Sequence, residues 1–219
     1  MWAMREAYFD QLNTIIDDLV AMTHEVQDAV RRATKALLTA DTELAERVIT
    51  DDAAIDAVRE RVEARSFELL ALQQPVATDL RMLVAALRMV ADLERMGDLS
   101  VHVAKVARMR VPAIAVPAEM VPTIERMATV AETMVGTVAG VIASRDVEGA
   151  LRLERDDEEI DRLRRTSFRQ MLDDSWPYGV EPAVDIALLG RYYERIADHA
   201  VSLAHRLVYL VTGETVGSA

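Results

Sequence analysis

The sequence is marked first by what it lacks. Among its 219 residues there are no cysteines, only 8 glycines and 6 prolines, and 5% aromatic residues. The absence of cysteine excludes disulfide frameworks, thiol catalysis and thiolate metal sites. The sequence also contains no glycine-rich phosphate loop and no nucleophile elbow, so nothing in it points to an NTPase or an α/β-hydrolase.

Long apolar runs without charge are also missing. The longest candidates, such as residues 133–144, are shorter than the roughly 18 residues needed to span a bilayer. The first residues read Met-Trp-Ala-Met-Arg-Glu-Ala and lack the basic region and apolar run of a signal peptide. We therefore expect a cytoplasmic protein that reaches a membrane only through its partners.

Basic residues are in the minority. The chain has 25 Lys and Arg against 37 Asp and Glu, a formal net charge of -12. This balance argues against a nucleic acid as partner, because no surplus of Lys and Arg is available to displace the counterions of a phosphate backbone. It permits cationic partners, including metal ions.

Between its few prolines, the chain is rich in Ala, Leu, Arg, Glu and Met at helical spacing. This pattern predicts an all-α fold. Asp41 and Asp146 occupy positions typical of helix N-caps. Six helices are expected, over residues 4–38, 41–72, 79–109, 119–144, 146–172 and 183–211.

An internal repeat divides the chain into two halves. When the chain is shifted by 105 positions, residues 36–60 align with 141–165 and nine of the 25 aligned positions are identical. A shift of 100 positions then aligns residues 93–98 with 193–198. We predict two tandem, pseudo-symmetric three-helix bundles, over residues 1–111 and 112–219.

Pairs of acidic residues four apart recur at equivalent places in both repeats. On a helix such residues lie on one face, where two like charges cost roughly 0.2–0.5 kcal/mol unless a cation lies between them. The pairs are Asp52 and Asp56, Glu94 and Asp98, Asp157 and Asp161, and Glu194 and Asp198.

Two interpretations of these acids stay open. They form either a solvated face neutralised by arginines such as Arg59, Arg95 and Arg195, or two metal sites. A set of carboxylates suits Mg, Mn, Ca or oxidised Fe better than Zn or Cu. His102 could add a nitrogen ligand in the first repeat, but its counterpart in the second is Ser202.

The two repeats differ in how the acids lie relative to the apolar positions. Glu94 and Asp98 fall on an apolar line of their helix, whereas Glu194 and Asp198 lie beside the apolar stripe of theirs. We therefore expect the acids of the first repeat to be the more buried ones. Gly97, which corresponds to Ala197, indicates that a small residue is needed where helices approach closely.

The most obvious enzyme of this fold class can be excluded from the sequence. A ferritin-like di-iron enzyme needs Glu-x-x-His on two helices. None of the four histidines has a glutamate three positions earlier.

Several motifs resemble those of the PhoU family. Residues 93–98 (Leu-Glu-Arg-Met-Gly-Asp) and 193–198 (Tyr-Glu-Arg-Ile-Ala-Asp) resemble its paired Glu-Arg-Ile-Gly-Asp motifs. The segment 74–81 resembles the family's Gln-Pro-x-x-x-Asp-Leu-Arg entry to the third helix, and residues 41–56 and 211–214 add further matches. The resemblance covers nearly the whole chain.

The resemblance implies a cytoplasmic, often dimeric protein that is not an enzyme. It implies a negative regulator of phosphate uptake and of the phosphate-starvation response, the Pho regulon, acting by contact with the phosphate ABC transporter and its sensor histidine kinase. The family's Glu/Asp-x-x-x-Asp pairs hold multinuclear clusters of Fe, Mn, Mg or Zn, and all eight acids named above match these pairs. The alternatives are a metal-binding scaffold and a metal-dependent phosphoesterase.

Overall fold

Six long helices make up the chain in the computed structural model, which describes residues 2–214. No β-strand occurs within this range. The all-α prediction and the six predicted helices are confirmed, with ends that differ by a few residues. The helices are α1 Trp2–Thr39, α2 Thr42–Gln73, α3 Ala77–Arg110, α4 Val121–Ser144, α5 Val147–Met171 and α6 Val180–Thr212.

The two predicted N-caps differ in their hydrogen bonding. The Asp41 carboxylate accepts a hydrogen bond from the backbone N–H of Leu44 at 2.9 Å, which satisfies one of the free donors at the start of α2. Asp146 occupies the N-cap position of α5 but makes no such bond. Its carboxylate lies 3.4 Å from Arg152 instead.

Each repeat contributes two helices to a central four-helix core. Within a repeat, α1, α2 and α3 pack on one another, as do α4, α5 and α6, and the repeats join through α1 with α4 and α3 with α6. Helices α2 and α5 lie on the outside and bury only one face, in keeping with their many charged residues. This arrangement is the predicted pair of pseudo-symmetric three-helix bundles.

Helix α4 is the most apolar helix. It is long and apolar enough, by length and composition alone, to cross a membrane. The sequence pointed only to residues 133–144 of this helix as an apolar run too short to span a bilayer, because Glu132 interrupts the run. In the bundle 56% of its most apolar window is buried, so its composition fits a core helix packed on α1, α5 and α6.

Charged side chains bind the two repeats together along the α3–α6 contact. Asp92 of α3 accepts hydrogen bonds from His199 Nδ1 at 3.1 Å and from Arg206 Nε at 2.7 Å. Near the other end, Arg110 donates to Asp185 at 2.6 and 3.0 Å and also pairs with Glu181. Because the end of α3 meets the start of α6, the two helices run antiparallel.

Candidate metal centre

The first acidic cluster forms where α2 lies against α3. Asp52 is partly buried, and its pKa is raised to about 6 by burial and then by the charges of Asp98, Asp56 and Glu94. The structure therefore brings together the four acids that the sequence singled out in the first repeat. Burial and nearby negative charges both disfavour the ionised carboxylate, and each therefore raises its pKa.

Gly97 allows this close approach of α2 to α3. A Cβ atom at position 97 would lie 2.9 Å from Asp52 Oδ1 and 3.1 Å from Ile55 Cδ1. The predicted need for a small residue is thus confirmed at Gly97, which is buried against the Asp52 carboxylate.

The second acidic cluster forms at the equivalent contact of α5 with α6. The pKa of Asp157 is raised to about 6 by burial and then by Asp198, Asp161 and Glu194. Burial and the charge of Glu194 also raise the pKa of Asp198, against the opposing effect of Arg191. The duplicated sequence therefore produces a duplicated electrostatic feature.

Arginines neutralise part of each cluster. In the first, Arg95 lies 3.6 Å from Glu94 and 3.4 Å from Asp98. In the second, Glu194 accepts a hydrogen bond from Arg164 at 2.9 Å and pairs with Arg191. Of the three arginines named from the sequence, Arg95 contacts these acids, whereas Arg59 lies 3.7 Å from Glu63 and Arg195 has no ion pair in the described part of the chain. The acids converge, and a metal between them stays a prediction.

The expected difference in burial between the two repeats holds for Asp98, which is partly buried where Asp198 is exposed, but it is wrong for the glutamates. The Glu194 side chain is 11% exposed, whereas that of Glu94 is 19% exposed. The position of Glu194 beside the apolar residues of α6 did not predict its burial, because an arginine of a neighbouring helix covers its side chain. Arg164 reaches it from α5, with its guanidinium over the Phe168 ring at 5.3 Å.

The donor set fits a hard cation by its chemistry. All eight predicted ligands present carboxylate oxygens, which Mg, Mn, Ca and oxidised Fe prefer. Within residues 2–214, however, no three His, Asp or Glu side chains stand in an arrangement ready to hold an ion. Binding would therefore require carboxylates such as Glu94 and Glu194 to turn from their arginines toward Asp52 and Asp157.

His102 lies apart from this chemistry. Its exposed ring stacks on Tyr192 of α6, with centroids 5.3 Å apart and an interplanar angle of 22°. The imidazole therefore lines the contact between the repeats.

Sequence reasoning missed Asp92, Arg110 and Asp185, the charged residues that join the repeats. The only signal for Asp92 and Asp185 was an acid at a buried position of an otherwise apolar helix stripe. Such a residue needs a counter-charge. The sequence offered no means of finding that counter-charge on a helix 75 to 114 residues away.

These features define a class of protein: an all-α, duplicated three-helix bundle that carries one partly neutralised carboxylate cluster per repeat. The family model described as "PhoU domain" matches this chain twice, over residues 19–107 and 124–207. The chain therefore belongs to the PhoU family. The predicted boundary between residues 111 and 112 falls between the two matched segments, although the match does not define a boundary.

Named relatives align over nearly their full length. The "Phosphate-specific transport system accessory protein PhoU homolog 2" of Mycobacterium tuberculosis is 45% identical over 96% of this chain and 99% of its own. Homolog 1 of Mycobacterium leprae is also 45% identical, over 96% of this chain and 95% of its own. A homolog from Rhizobium meliloti is 32% identical over 94% and 88%.

Solved structures share the fold. The crystal structure of PhoU from Pseudomonas aeruginosa superposes with a TM-score of 0.85 at 29% identity, covering 94% of this chain and all of that one. The phosphate transport system regulatory protein PhoU from Streptococcus pneumoniae gives a TM-score of 0.85 at 25% identity, covering 95% of this chain and 99% of that one.

Proposed function

We propose that this chain is a non-enzymatic regulator that represses phosphate uptake and the phosphate-starvation response when phosphate is abundant. It acts in the cytoplasm, by contact with the ATPase of the phosphate transporter and with its sensor histidine kinase. The observation that carries the proposal is end-to-end similarity to proteins named as accessories of the phosphate-specific transport system, at 45% identity over 96% of the chain.

Exposed apolar side chains suggest where the transporter ATPase is contacted. The turns between α2 and α3 and between α5 and α6, together with the helix ends beside them, are here called the repeat tips and carry Leu72 at 69% exposure and Leu172 at 80%. Leu72 lies in the last turn of α2 and Leu172 directly after α5, and Val76 and Val180 at the starts of α3 and α6 are also exposed. Because exposed clusters of large apolar residues mark protein interaction sites, we assign the repeat tips to the ATPase.

Co-purification with the transporter ATPase tests this assignment. Leu72→Glu and Leu172→Glu should each reduce the amount of ATPase retained, because a charge in an apolar contact is costly to bury. Leu151→Glu is the matched control, since Leu151 is 42% exposed on α5 away from both tips. Wild-type protein that retains neither the ATPase nor the kinase at any phosphate concentration would refute the proposal.

The proposal includes a homodimer, as the family resemblance implies. Light scattering should give twice the 24.4 kDa mass of one chain. A mass of one chain at micromolar concentration would contradict this part alone and leave the regulatory role intact.

Metal binding is a second proposed property, and the raised pKa values of Asp52 and Asp157 favour it. Burial and the repulsion between neighbouring carboxylates raise those values, and a cation between the carboxylates would remove the repulsion. The eight acids Asp52, Asp56, Glu94, Asp98, Asp157, Asp161, Glu194 and Asp198 would supply the ligands, for Fe, Mn, Mg or Zn. His102 is left out because it stacks on Tyr192.

Metal analysis after reconstitution with each of these metals tests the site. We expect at least one equivalent per chain, and its loss in the double variant Asp52→Asn/Asp157→Asn. Asp174→Asn is the control, because Asp174 is an exposed acid in the loop after α5. Less than one equivalent bound by the wild type would reject the metal assignment.

The metal-reconstituted protein also tests the proposal that this chain is not an enzyme. Reconstituted wild type should not hydrolyse phosphate esters. Metal-dependent turnover that disappears in Glu94→Gln would instead establish the phosphoesterase alternative.

A further inference from the structure

A cationic cavity lies on the contact between the two repeats of this acidic protein. It has a volume of about 320 Å³ and is formed by α3 and α6. Asp98 is its only acidic residue among those the structure describes. The remaining lining residues are Arg95, Leu99, His102, Arg191, Tyr192, Arg195 and His199.

The three arginines of the cavity differ in how far they are already neutralised. Arg195 is exposed and has no ion pair or hydrogen bond in the described part of the chain. Arg95 has only long contacts, 3.6 Å to Glu94 and 3.4 Å to Asp98, and its side chain is 63% exposed. Arg191 pairs with Glu194. Arg195 is therefore the free guanidinium of the set, and Arg95 is the next most available.

Further positive charge follows the same side of α3. Arg88, Arg95 and His102 are spaced by seven residues, which places them along one side of the helix. Arg88 lines a neighbouring cavity of about 430 Å³ together with Arg206 and His205. Those two residues are bound to Asp92 and Glu154, whereas Arg88 is exposed. The α3–α6 contact thus carries positive charge on a chain whose net charge is -12.

We propose that the cavity between α3 and α6 binds a small phosphate-bearing anion. Arg195 and Arg95 hold the phosphate, and Arg191 adds its charge from the preceding turn of α6. The stacked rings of His102 and Tyr192 form one wall. The planar guanidinium presents a fork of N–H donors that matches phosphate oxygens two at a time.

The charge and the size of the cavity favour this ligand. A phosphate near neutral pH carries between one and two negative charges, enough to engage two guanidinium groups at once, whereas a single carboxylate satisfies one. The volume of about 320 Å³ limits the ligand to a small molecule. Arg95 belongs to the first repeat and Arg195 to the second, so the bound anion would bridge the two.

Calorimetric titration tests the proposal, with inorganic phosphate and AMP as separate probes and EDTA present throughout. EDTA makes the result independent of whether the carboxylate clusters hold a metal, and the measurement needs neither transporter nor kinase. We expect one ligand per chain for at least one probe. Binding of inorganic phosphate identifies free phosphate as the source, and binding of AMP alone identifies a nucleotide.

Variants then locate the site. Arg195→Gln and Arg95→Gln should each weaken binding by roughly tenfold or more, because each removes hydrogen bonds to a charged group. Arg195→Lys, which keeps the charge without the fork, should fall between Arg195→Gln and the wild type. Arg155→Gln, the same change at an exposed arginine of α5 outside the cavity, should alter the affinity by less than about twofold.

Two results would overturn the proposal. The first is the absence of saturable binding of either probe at concentrations up to about 10 mM, the weak end of specific affinities. The second is an equal loss of affinity in Arg195→Gln and Arg155→Gln, which would show attraction by diffuse charge in place of a site.

Discussion

Asp52 and Asp157 hold equivalent positions in the two repeats and meet the same electrostatic conditions. Each carboxyl is partly buried beside the acids of the neighbouring helix, and in each the pKa is raised to about 6. Without a cation the native state therefore holds these groups under repulsion. A proton or a metal ion would relieve it.

Burial and repulsion together predict a pH dependence of stability in the metal-free protein. A carboxyl whose pKa is about 6 in the folded state and 3.8 in the unfolded state binds more protons when folded, between those values. Protonation of this carboxyl therefore stabilises the folded state. That stabilisation is complete below pH 3.8 and is lost as the pH rises through about 6. These two sites should therefore lower the free energy of unfolding as the pH rises from 4 to 6.

Urea denaturation in EDTA measures this effect. At pH 7.5, Asp52→Asn/Asp157→Asn should be more stable than the wild type by on the order of 1 kcal/mol per site, discounted for solvent screening. The difference should vanish near pH 4, where both carboxyls are protonated. Asp174→Asn should show no such dependence, and a destabilised double variant at pH 7.5 would contradict the account.

At the scale of helices, Gly97 and Gly140 differ in how much space the fold leaves for a side chain. Both lie within helices, where alanine is favoured by about 1 kcal/mol. A Cβ at Gly140 of α4 would meet nothing within 4 Å, whereas at Gly97 it would meet the Asp52 carboxylate at 2.9 Å. The approach of α2 to α3 therefore leaves little room for a side chain at position 97, whereas position 140 is open.

Alanine substitutions separate these cases. Gly140→Ala should raise the free energy of unfolding by about 0.5–1 kcal/mol, through helix propensity alone. Gly97→Ala should raise it by less, since Asp52 and Ile55 must move. Equal stabilisation by the two substitutions, measured by urea denaturation, would show that the close contact at Gly97 carries no cost.

The contact of α3 with α6 depends on a buried acid and its arginine. The Asp185 side chain is 5% exposed and receives two hydrogen bonds from Arg110. Two residues earlier, Arg108 contacts Glu46, whose side chain is 50% exposed. The two arginines therefore provide a comparison of a buried and an exposed ion pair on the same helix.

Arg110→Gln should lower the free energy of unfolding by clearly more than Arg108→Gln does, because Asp185 would remain buried without its counter-charge. Arg108→Gln should change it by less than about 1 kcal/mol. The double variant Arg110→Gln/Asp185→Asn should recover part of the loss. Similar effects of Arg108→Gln and Arg110→Gln would contradict the assigned role of the buried pair.

Signals within short segments of the sequence were sufficient to predict the helices and to predict which acids converge. Proline clusters and the Asp41 cap defined the helices, and the duplicated four-residue spacing of acids identified both clusters. Contacts between distant residues were beyond these signals. The partners of Asp92 and Asp185 lie on α6 and α3, and the burial of Glu194 depends on Arg164 of α5. Such pairings are set by how helices pack, which periodicity within one helix does not encode.

At the scale of the molecule, duplication places two acidic clusters on the outer helix contacts and a basic cavity at the centre. Arg95 touches acids of the first cluster and Arg191 touches Glu194 of the second, and both line the cavity. A cation at either cluster would release an arginine toward the cavity. Metal and anion binding should therefore strengthen each other, by the same factor in either direction.

Titration with phosphate in the presence and absence of saturating Mn²⁺ measures this coupling. We expect a lower dissociation constant with the metal, by roughly fivefold or more for a typical coupling between sites. Phosphate and Mn²⁺ must be kept below the concentration at which they precipitate. Unchanged affinity, with metal bound, would show that the arginines are not shared.

Reporter output tests the central claim, repression of the phosphate-starvation response, most directly. The measurement is phosphatase-reporter expression in a deletion strain grown in abundant phosphate, with any second family member also deleted. The proposed function predicts constitutive expression that a plasmid copy of this gene restores to the repressed level. Expression that stays repressed in the double deletion would contradict it.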